Sequence, residues 1–394
     1  MNQKKIPFSG VGFAYSESEI EVVSNAMRAL DTLTQGNNQE EFEDKFAKLI
    51  SVPFSFATSS AATAIELAAI LFNVREGDEI IVPAHTYAAS AYPFARHGAK
   101  MIWSDVDQDQ FVVTLDTIKP LITDKTKVVV LVHLYGLPVD VQPIIEYCRR
   151  MGIYVLEDCA QSLGATVNGK MAGSLGDISV FSFQSHKNIS TLGEGGMICF
   201  SNEDWSRLLP GLRHNGHKPF DIFPEMYWSP AMSDVDFDIP DVWPHNFCLG
   251  EIQCALGSHL LDKIEGINDL RRMRYQKAIT YFSNNERVQF QVVPDHKKSA
   301  HHLLPFKFHS SRYKSGADEV FKKLISDFGI YPAKQYYPLY RYGLFAKSGN
   351  GSANVPVTDS FYDNMVSLPF HHWMSEDDFD YMLDAVSSVV TKVD

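Results

Sequence analysis

The sequence predicts an α/β fold with a mostly parallel central sheet flanked by helices, followed by a smaller α+β domain. Two observations predict the sheet: strand, turn and helix patterns alternate from residue 54 to residue 200, and the strand segments are rich in Val and Ile. The 394 residues exceed what one hydrophobic core usually reaches, about 250 to 300 residues. We therefore expect two domains, 1–250 with the sheet and 251–394 with the remainder.

The elements of the first domain follow from apolar periodicity. Helical spacing covers residues 16–31 and 40–50. Apolar segments bounded by turn residues predict strands at 54–58, 79–83, 100–105, 128–133, 153–158, 178–183 and 196–200. Helical patterns separate several of them, at 62–72, 88–97, 115–121 and 141–150. Ligands of such sheets bind beyond the carboxyl ends of the strands, so we expect the site there.

The periodic pattern stops over residues 217–245, which are rich in Pro, aromatic and acidic residues. An aperiodic segment of this length inside a compact domain is typical of a lid or an oligomer contact. After it we predict one long helix from about residue 250 to 282. The smaller domain then continues with strands near 288–293 and 303–308 and helices near 317–328 and 376–390.

Composition argues against several classes of protein. Lys and Arg number 35 against 48 Asp and Glu, and the net charge of −13 makes nucleic acid or an anionic membrane an unfavourable partner. The five cysteines are odd in number and lack CxxC spacing, so neither a disulfide framework nor a zinc site is indicated. No signal peptide and no stretch of about 18 uncharged apolar residues is present, so we expect a cytoplasmic protein.

The segment 180–196 carries one lysine between two predicted strands. Lys187 follows an apolar strand and a short polar stretch, and a glycine-rich turn leads on to the next strand. We therefore expect it to project from a loop at the end of the sheet, where a lysine forms a Schiff base if its neighbours lower its pKa. Taken alone, a lysine is more often a solvated surface residue.

A carboxylate ends the strand at 153–158. Asp158 at such a strand end, facing a lysine loop, suits a pyridoxal phosphate enzyme: the carboxylate pairs with the protonated ring nitrogen while the lysine holds the aldehyde carbon. Alternatively, Asp158 is a helix cap or a magnesium ligand. The presence of Lys187 favours the pyridoxal phosphate interpretation over these two. No metal site is predicted.

Two further turns complete the pattern. Ser60, Ala61 and Ala62 are small residues at the start of a helix, where backbone amides and the helix dipole attract a phosphate. Tyr87 lies in another turn between strand and helix, where its ring could lie flat against a cofactor. Each signal is weak when taken alone.

The four segments described above lie at 56–66, 82–90, 153–164 and 180–196. In this order and spacing they resemble the DegT/StrS family of sugar aminotransferases, which are pyridoxal phosphate enzymes of the aspartate aminotransferase fold, fold type I. The similarity spans almost the whole chain, through 39–43, 77–79, 133–136 and 366–370, and is most specific over 157–160 and 181–196. It implies transfer of an amino group from glutamate or glutamine to a keto-sugar, usually nucleotide-linked, or to a keto-cyclitol. The route uses a Lys187 Schiff base and a pyridoxamine phosphate intermediate.

The resemblance also implies the roles of individual residues. Lys187 and Asp158 are the catalytic pair, Tyr87 stacks on the cofactor ring, and Gln161 lies near the ring hydroxyl. The residues around the cofactor phosphate are Ser60, the amides of Ala61 and Ala62, Ser182, and Asn246 from the other subunit of a homodimer with shared sites. Tyr336 and Tyr337 resemble the family segment that lines the sugar pocket, although an aromatic core strand is an equal alternative.

Two positions depart from the family pattern. Ala62 replaces the usual Thr of the phosphate turn, a loss for which Thr63 could partly substitute, and Cys248 replaces an Arg near Asn246. Relatives that act as sugar dehydratases carry His in place of the Schiff-base lysine, so Lys187 favours transamination.

Three alternatives remain open. One is a non-catalytic regulator that keeps the fold, although an intact Lys187 and Asp158 count against it. Another is a metal enzyme that uses the pairs His301 and His302, His371 and His372, or His214 and His217, although adjacent histidines seldom chelate together. The third concerns substrate: if the acidic segment 217–245 covers the site, it disfavours a nucleotide diphosphate and favours a neutral or amino-bearing sugar or cyclitol.

Overall fold

The computed structural model describes residues 5–8, 14–29, 31–216, 242–309 and 316–393. Its strands are β1 (Phe54–Thr58), β2 (Glu79–Pro83), β3 (Lys100–Ser104), β4 (Thr126–Val132), β5 (Tyr154–Asp158), β6 (Thr166–Val167), β7 (Lys170–Met171), β8 (Ile178–Ser182), β9 (Gly196–Phe200), β10 (Val288–Phe290), β11 (Lys297–Lys298), β12 (Leu304–Phe308) and β13 (Met365–Leu368). Its helices are α1 (Glu17–Ala29), α2 (Asn37–Ile50), α3 (Ala61–Leu71), α4 (Tyr92–Arg96), α5 (Leu115–Ile118), α6 (Val141–Arg150), α7 (Glu203–Arg213), α8 (Glu251–Leu261), α9 (Ile264–Tyr281), α10 (Gly316–Phe328), α11 (Gly343–Lys347), α12 (Pro356–Asn364) and α13 (Glu376–Lys392).

The central sheet has seven strands in the order β1-β9-β8-β5-β4-β2-β3. Strand β9 pairs antiparallel with β8 and β1, and every other pairing in this sheet is parallel. The predicted mostly parallel sheet is therefore confirmed. Because β1 and β8 both run opposite to β9, six strands end at the same edge of the sheet.

Helices cover the sheet, and their packing explains why its strands are so apolar. Residues 128–132 of β4 are at most 3% exposed, and all five residues of β2 are buried. Burying one Val or Ile side chain stabilises the fold by roughly 1.5 to 3 kcal/mol. A central strand therefore gains stability from residues on both faces, which removes the alternation expected of a half-exposed strand.

A second, antiparallel sheet of order β10-β12-β13 packs with α10 and α13, and its core includes Phe306, Leu324 and Val386. Helix α8 instead shares a core with α2 and the ends of β8 and β9, through residues such as Leu256 and Phe42. The division of the chain at residue 250 stays a prediction. Within the described residues, no helix is both long and apolar enough to cross a membrane.

The single long helix predicted over 250–282 is wrong, because the chain forms α8 and α9 with a break at Asp262 and Lys263. Lys45 Nζ donates to the carbonyl of Ser258 (2.8 Å), which an unbroken helix would pair with the amide of Asp262. Lys45 also forms an ion pair with the Asp262 carboxylate (2.7 Å). A side chain from α2 thus contacts both the last turn of α8 and the residue at the break.

The helix predicted over 88–97 is also shorter than expected. A 3₁₀ turn covers Ala88–Ser90, and α4 starts only at Tyr92. Pro93 has no amide proton to bond the carbonyl four residues earlier, so one continuous helix is disfavoured. Residues 217–241 lie outside the described residues, and the prediction that this segment forms a lid or an oligomer contact stays a prediction.

Candidate active site

Strand register brings three of the predicted residues to one edge of the sheet. Asp158, the last residue of β5, pairs with Val180 of β8, so Ser182 ends β8 just beyond it. Gly196 pairs with both Ser182 and Thr58, which places the end of β1 at the same edge. The carboxylate and the predicted phosphate turn therefore lie at the carboxyl ends of neighbouring strands, as the fold class requires.

Two donors hold the Asp158 carboxylate, which is only 5% exposed. Ser90 Oγ donates to Oδ2 at 2.7 Å, and the amide of Ala160 donates to Oδ1 at 3.1 Å. Thr86 Oγ1 lies 3.1 Å from Ser90 Oγ and keeps that hydroxyl in place. With one donor on each oxygen, the plane of the carboxylate is fixed, while each oxygen keeps a lone pair for a ligand.

Lys187 lies in a loop that backbone hydrogen bonds close. The amide of Lys187 donates to the carbonyl of Gln184 at 2.8 Å, and the amide of Ser185 donates to Gly193 at 2.9 Å. Burial of the amine lowers the pKa of Lys187 to about 8, even though the charges of Asp158 and Glu194 act in the opposite direction. Roughly a tenth of the amine is therefore neutral at pH 7, far more than in an ordinary lysine, and only the neutral form acts as a nucleophile or base.

The predicted phosphate turn caps α3. Ser60 Oγ accepts from the amide of Thr63 at 3.2 Å, and the amide of Ser60 donates back to Thr63 Oγ1 at 3.1 Å. The first amides of a helix have no intrahelical acceptor, and this cap uses only that of Thr63. Among the described residues, the amides of Ala61 and Ala62 have no acceptor, so they remain for a ligand.

The hydroxyl of Thr63 takes part in the helix cap, and its partial substitution for the hydroxyl that Ala62 lacks stays a prediction. Its Oγ1 donates to the carbonyl of Ser60 at 2.8 Å while it accepts from the Ser60 amide, so the cap engages both functions of the hydroxyl. A further hydroxyl is available nearby on Ser182, whose Oγ accepts from the amide of Gln184 at 3.4 Å and keeps its proton within the described contacts.

Aromatic rings form one side of this edge. Tyr87 is 61% exposed, and its ring lies edge-on to that of Tyr336 with centroids 6.0 Å apart. Gln161 links this side to the sheet, because its Nε2 donates to the Tyr336 hydroxyl at 3.2 Å and its Oε1 accepts from the amide of Tyr135 at 2.8 Å. Burial raises the pKa of Tyr336, which therefore stays a neutral hydroxyl.

Two predicted residues lie apart from this group. The ring of Tyr337 contacts Tyr342 and Tyr362, at 5.2 and 5.4 Å, instead of Tyr87. Asn246 is exposed on a segment that pairs with His214 at the base of α7. A substrate role for Tyr337 and a role for Asn246 in a partner's site stay predictions.

Sequence reasoning missed Ser90, Glu194 and Asn188, which all lie within segments that flank the predicted residues. Ser90 holds Asp158, Glu194 acts on the charge of Lys187, and Asn188 anchors the lysine loop. The sequence signal for these three residues was only that they lie close to Tyr87 or Lys187 along the chain. The carboxylate that Ser90 binds and the hydrogen-bond partners of the Asn188 side chain lie 68 to 114 residues away, and no local pattern reveals such pairs.

Of the histidine pairs considered as metal ligands, His301 and His302 lie in different surroundings. His301 stacks on Tyr275 with ring centroids 3.9 Å apart, whereas Nδ1 of His302 lies 3.3 Å from Asn188. Adjacent residues thus point to different neighbours, as their alternation predicts. His217 lies outside the described residues.

A buried group of His133, Glu157 and Cys159 also has ligand atoms within 4.8 Å of one another. Glu157 already accepts from His133 Nε2 at 3.0 Å and from the amide of Gly176 at 2.6 Å, and His133 Nδ1 accepts from the amide of Val139 at 2.9 Å. Burial raises the pKa of the Cys159 thiol. These hydrogen bonds fix the turn before β8, so we interpret the group as structural.

The site offers an amine of lowered pKa, a buried carboxylate, free helix amides and an exposed ring, which are the groups that pyridoxal phosphate needs. Fold and site together define a pyridoxal phosphate enzyme of fold type I. The sequence matches the DegT/DnrJ/EryC1/StrS aminotransferase family over residues 14–387. The chain belongs to this family, and it is a pyridoxal-phosphate-dependent sugar aminotransferase.

Similar proteins include a GDP-perosamine synthase from Caulobacter vibrioides, 30% identical over 354 residues that cover 89% of each chain. A UDP-N-acetyl-3-dehydro-alpha-D-glucosamine 3-aminotransferase from Acidithiobacillus ferrooxidans is 29% identical over 376 residues, 94% of each chain. Among solved structures, the aminotransferase from Psychrobacter cryohalolentis is 25% identical with a TM-score of 0.86, covering 98% of this chain and all of that one.

Proposed function

We propose that this aminotransferase moves an amino group from glutamate or glutamine to a nucleotide-linked keto-sugar. The observation that carries the proposal is the pairing of Lys187, an amine with a pKa of about 8, with the buried Asp158 at one sheet edge. The names of two relatives, which act on GDP- and UDP-linked sugars, support a nucleotide-linked acceptor. A free keto-sugar or keto-cyclitol is the second candidate, which the acidic composition of 217–245 favours if that segment covers the site.

The chain's own residues would move the protons of this reaction. Pyridoxal phosphate, when bound, supplies an electron sink for the charge that develops at the donor's α-carbon. Neutral Lys187 Nζ takes the proton from that carbon, and its ammonium form later delivers a proton to the sugar carbon that receives nitrogen. Asp158, held by Ser90 and by the amide of Ala160, would pair with the ring nitrogen of the cofactor.

Binding and orientation would come from the surrounding turns. The amides of Ala61 and Ala62 and the hydroxyl of Ser182 can hold the cofactor phosphate without any net positive charge. Tyr87 would cover the ring, and Gln161 would face its hydroxyl group. We propose that Asn246 of a second subunit completes the phosphate site of a homodimer.

The direct test substitutes Lys187 with Ala. The variant should lose both the visible absorbance of the lysine-bound cofactor and all turnover, because no other amine replaces Nζ. Lys322→Ala, which changes an exposed lysine on α10, is the matched control and should keep both properties. If Lys187→Ala keeps absorbance and turnover, the assignment is refuted.

The substrate requires a second experiment. The chain is loaded with pyridoxamine phosphate and mixed separately with nucleotide-linked and free keto-sugars, and return of the visible absorbance is recorded. Return with nucleotide-linked sugars alone supports the proposal, whereas return with free sugars supports the second candidate. Loss of absorbance with glutamate and no return with any keto-sugar would indicate a non-catalytic regulator.

A further inference from the structure

A buried polar cluster lies behind the lysine loop and is formed by Asn188, Asn268 and His302. These side chains are 6%, 0% and 3% exposed, and they come from the lysine loop, from α9 and from the segment before β12. Polar side chains buried to this degree are costly unless every group finds a partner. The hydrogen-bond partners of the three side chains therefore show which segments the cluster connects.

Asn188 is tied on three sides. Its Nδ2 donates to Asn268 Oδ1 at 2.8 Å and to the carbonyl of Ala300 at 3.1 Å, and its Oδ1 lies 3.3 Å from His302 Nδ1. Because Asn188 donates through its nitrogen, the His302 contact needs a proton on Nδ1. Burial and the nearby charge of Lys187 hold the pKa of His302 well below its usual range, so this imidazole is neutral.

The other end of Asn268 holds the loop that follows Asp158. Asn268 Nδ2 donates to the carbonyl of Leu163 at 2.8 Å. Gly164, at φ +84°, makes this contact possible, because a Cβ there would lie 2.5 Å from Asn268 Nδ2. One amide on α9 therefore bonds both the residue after Lys187 and the turn that leads away from Asp158.

The segment that carries His302 is docked just as closely. A Cβ on Gly136, at φ +98°, would lie 2.6 Å from the amide nitrogen of His301 and 2.8 Å from that of His302. The amide of His302 donates to the carbonyl of Tyr135 at 2.8 Å. Two glycines of separate motifs thus leave space for the cluster, an observation independent of its hydrogen bonds.

We propose that Asn268 is a positioning residue that fixes Lys187 relative to Asp158, acting through Asn188 on one side and through the 159–164 turn on the other. The inference rests on the proposed roles of Lys187 and Asp158. It explains why a fully buried asparagine lies on α9, where an apolar side chain would pack without the cost of desolvation.

The position of the lysine loop also controls how much water reaches the amine. The titratable groups that act on Lys187 are Asp158 and Glu194, which favour its charged form, and His186 and His302, whose charges would oppose it. If the loop is released, water reaches Nζ and the pKa of Lys187 rises towards its ordinary value. If Asn268 had a purely structural role, its substitution would lower the stability of the fold without shifting the pKa of Lys187.

The experiment measures the Lys187 amine directly. The chain is loaded with pyridoxamine phosphate, which leaves the amine free, and is trace-labelled with acetic anhydride over a range of pH. Mass spectrometry of the Lys187 peptide gives the midpoint, expected near the native pKa of about 8. In Asn268→Ala we expect the midpoint to rise by about one unit and kcat to fall about tenfold with KM for the donor unchanged.

Two further variants make the result specific. Asn188→Ala should also raise the midpoint, and the double variant should shift by less than the sum of the two single shifts, because both changes break the link between Asn268 and the lysine loop. Ile264→Ala removes buried packing one turn earlier on α9 and should lower Tm without moving the midpoint. A native midpoint in Asn268→Ala, an equal shift in Ile264→Ala, or additive shifts would overturn the proposal.

If Asn268→Ala does not fold, the midpoint of Asn188→Ala decides in its place, and a native value there overturns the proposal. The labelling reads the Lys187 amine whether or not the chain turns over substrate. Failure of the positioning role is therefore distinguishable from failure of the proposed function, which the absorbance of Lys187→Ala tests.

Discussion

Lys187 owes its low pKa to removal of water, and Glu194 limits the effect because its negative charge favours the ammonium form. Substitution of Glu194 with Gln removes that charge while keeping the shape of the side chain. We expect the pKa of Lys187 to fall below about 8, by up to about one unit. The pH dependence of Schiff-base formation with added pyridoxal phosphate measures the change.

Glu203→Gln is the control for this prediction, because it removes an exposed acid from the start of α7. The pH dependence of Schiff-base formation in this variant should equal that of the native chain. A profile for Glu194→Gln that is shifted to higher pH, or equal to that of the control, contradicts the interpretation that Glu194 acts on the Lys187 amine.

Glu157 stabilises the residues next to Asp158 by accepting from His133 and from the amides of Gly173, Leu175 and Gly176. Burial alone would raise its pKa, but these donors, with His133 foremost, lower the pKa of Glu157 below 4.5. A carboxylate with a lowered folded-state pKa adds stability that is complete above its unfolded pKa and is lost as pH falls through the folded value.

We therefore predict that Glu157→Gln lowers the free energy of unfolding at neutral pH by roughly 2 to 4 kcal/mol, because the Gln amide nitrogen would face donors from which it cannot accept a hydrogen bond. Below pH 4.5 the native chain should lose more stability than the variant. Urea unfolding at several pH values measures both effects, and an equal acid dependence of the two chains would contradict the prediction.

At the scale of elements, the start of α3 lies directly against β9. A Cβ on Gly196 would lie 2.3 Å from the carbonyl carbon of Ser60 and 2.5 Å from the amide nitrogen of Ala61. Gly196→Ala must therefore displace the turn whose amides are proposed to hold phosphate. We expect cofactor affinity to fall at least about tenfold, a cost of about 1.4 kcal/mol, in a fluorescence titration with pyridoxal phosphate.

Gly266→Ala provides the matched control, because a Cβ there meets nothing within 4 Å and Ala favours the interior of α9. This variant should bind the cofactor like the native chain and be slightly more stable. If Gly196→Ala binds with native affinity, the turn at Ser60 is not the phosphate site.

Elements whose signals are local could be predicted from the sequence, whereas those that depend on distant partners could not. The strand ending at Asp158 was predicted to within one residue, because apolar runs and turn residues mark such boundaries locally. The break after α8 was missed because Lys45 reaches it from another helix. Lys187 and Asp158 were proposed as site residues because their signals are local. The proposed anchoring role of Asn268 was missed because its partners are distant in the sequence.

At the scale of the whole molecule, two of the proposed site residues lie at the surface formed by the described residues. Tyr87 is largely exposed there although its proposed partner is a cofactor ring, and Asn246 is exposed as well. An exposed ring and an exposed amide fit a homodimer in which each subunit completes the site of the other. In a symmetric dimer the same surface patch of each subunit faces its partner. If Asn246 of one subunit reaches the partner's site, the partner's Asn246 therefore reaches the first site as well.

Complementation between inactive chains tests this arrangement. Lys187→Ala and Asn246→Ala are co-expressed with different tags, and the mixed dimers are isolated by both tags. If Asn246 serves the neighbouring site, one of the two sites in each mixed dimer combines an intact Lys187 with an intact Asn246, and about half of the native activity should return. Activity is measured at a cofactor concentration that saturates the native protein but not Asn246→Ala.

The control pairs Lys187→Ala with a chain that carries both substitutions. No site in that dimer contains an intact lysine, so it should be inactive. If Asn246 served its own chain, the dimer of the two single variants would gain nothing either, because Lys187 and Asn246 would never be intact in one site. Recovery in the first pair and not in the second therefore requires a site built from two subunits.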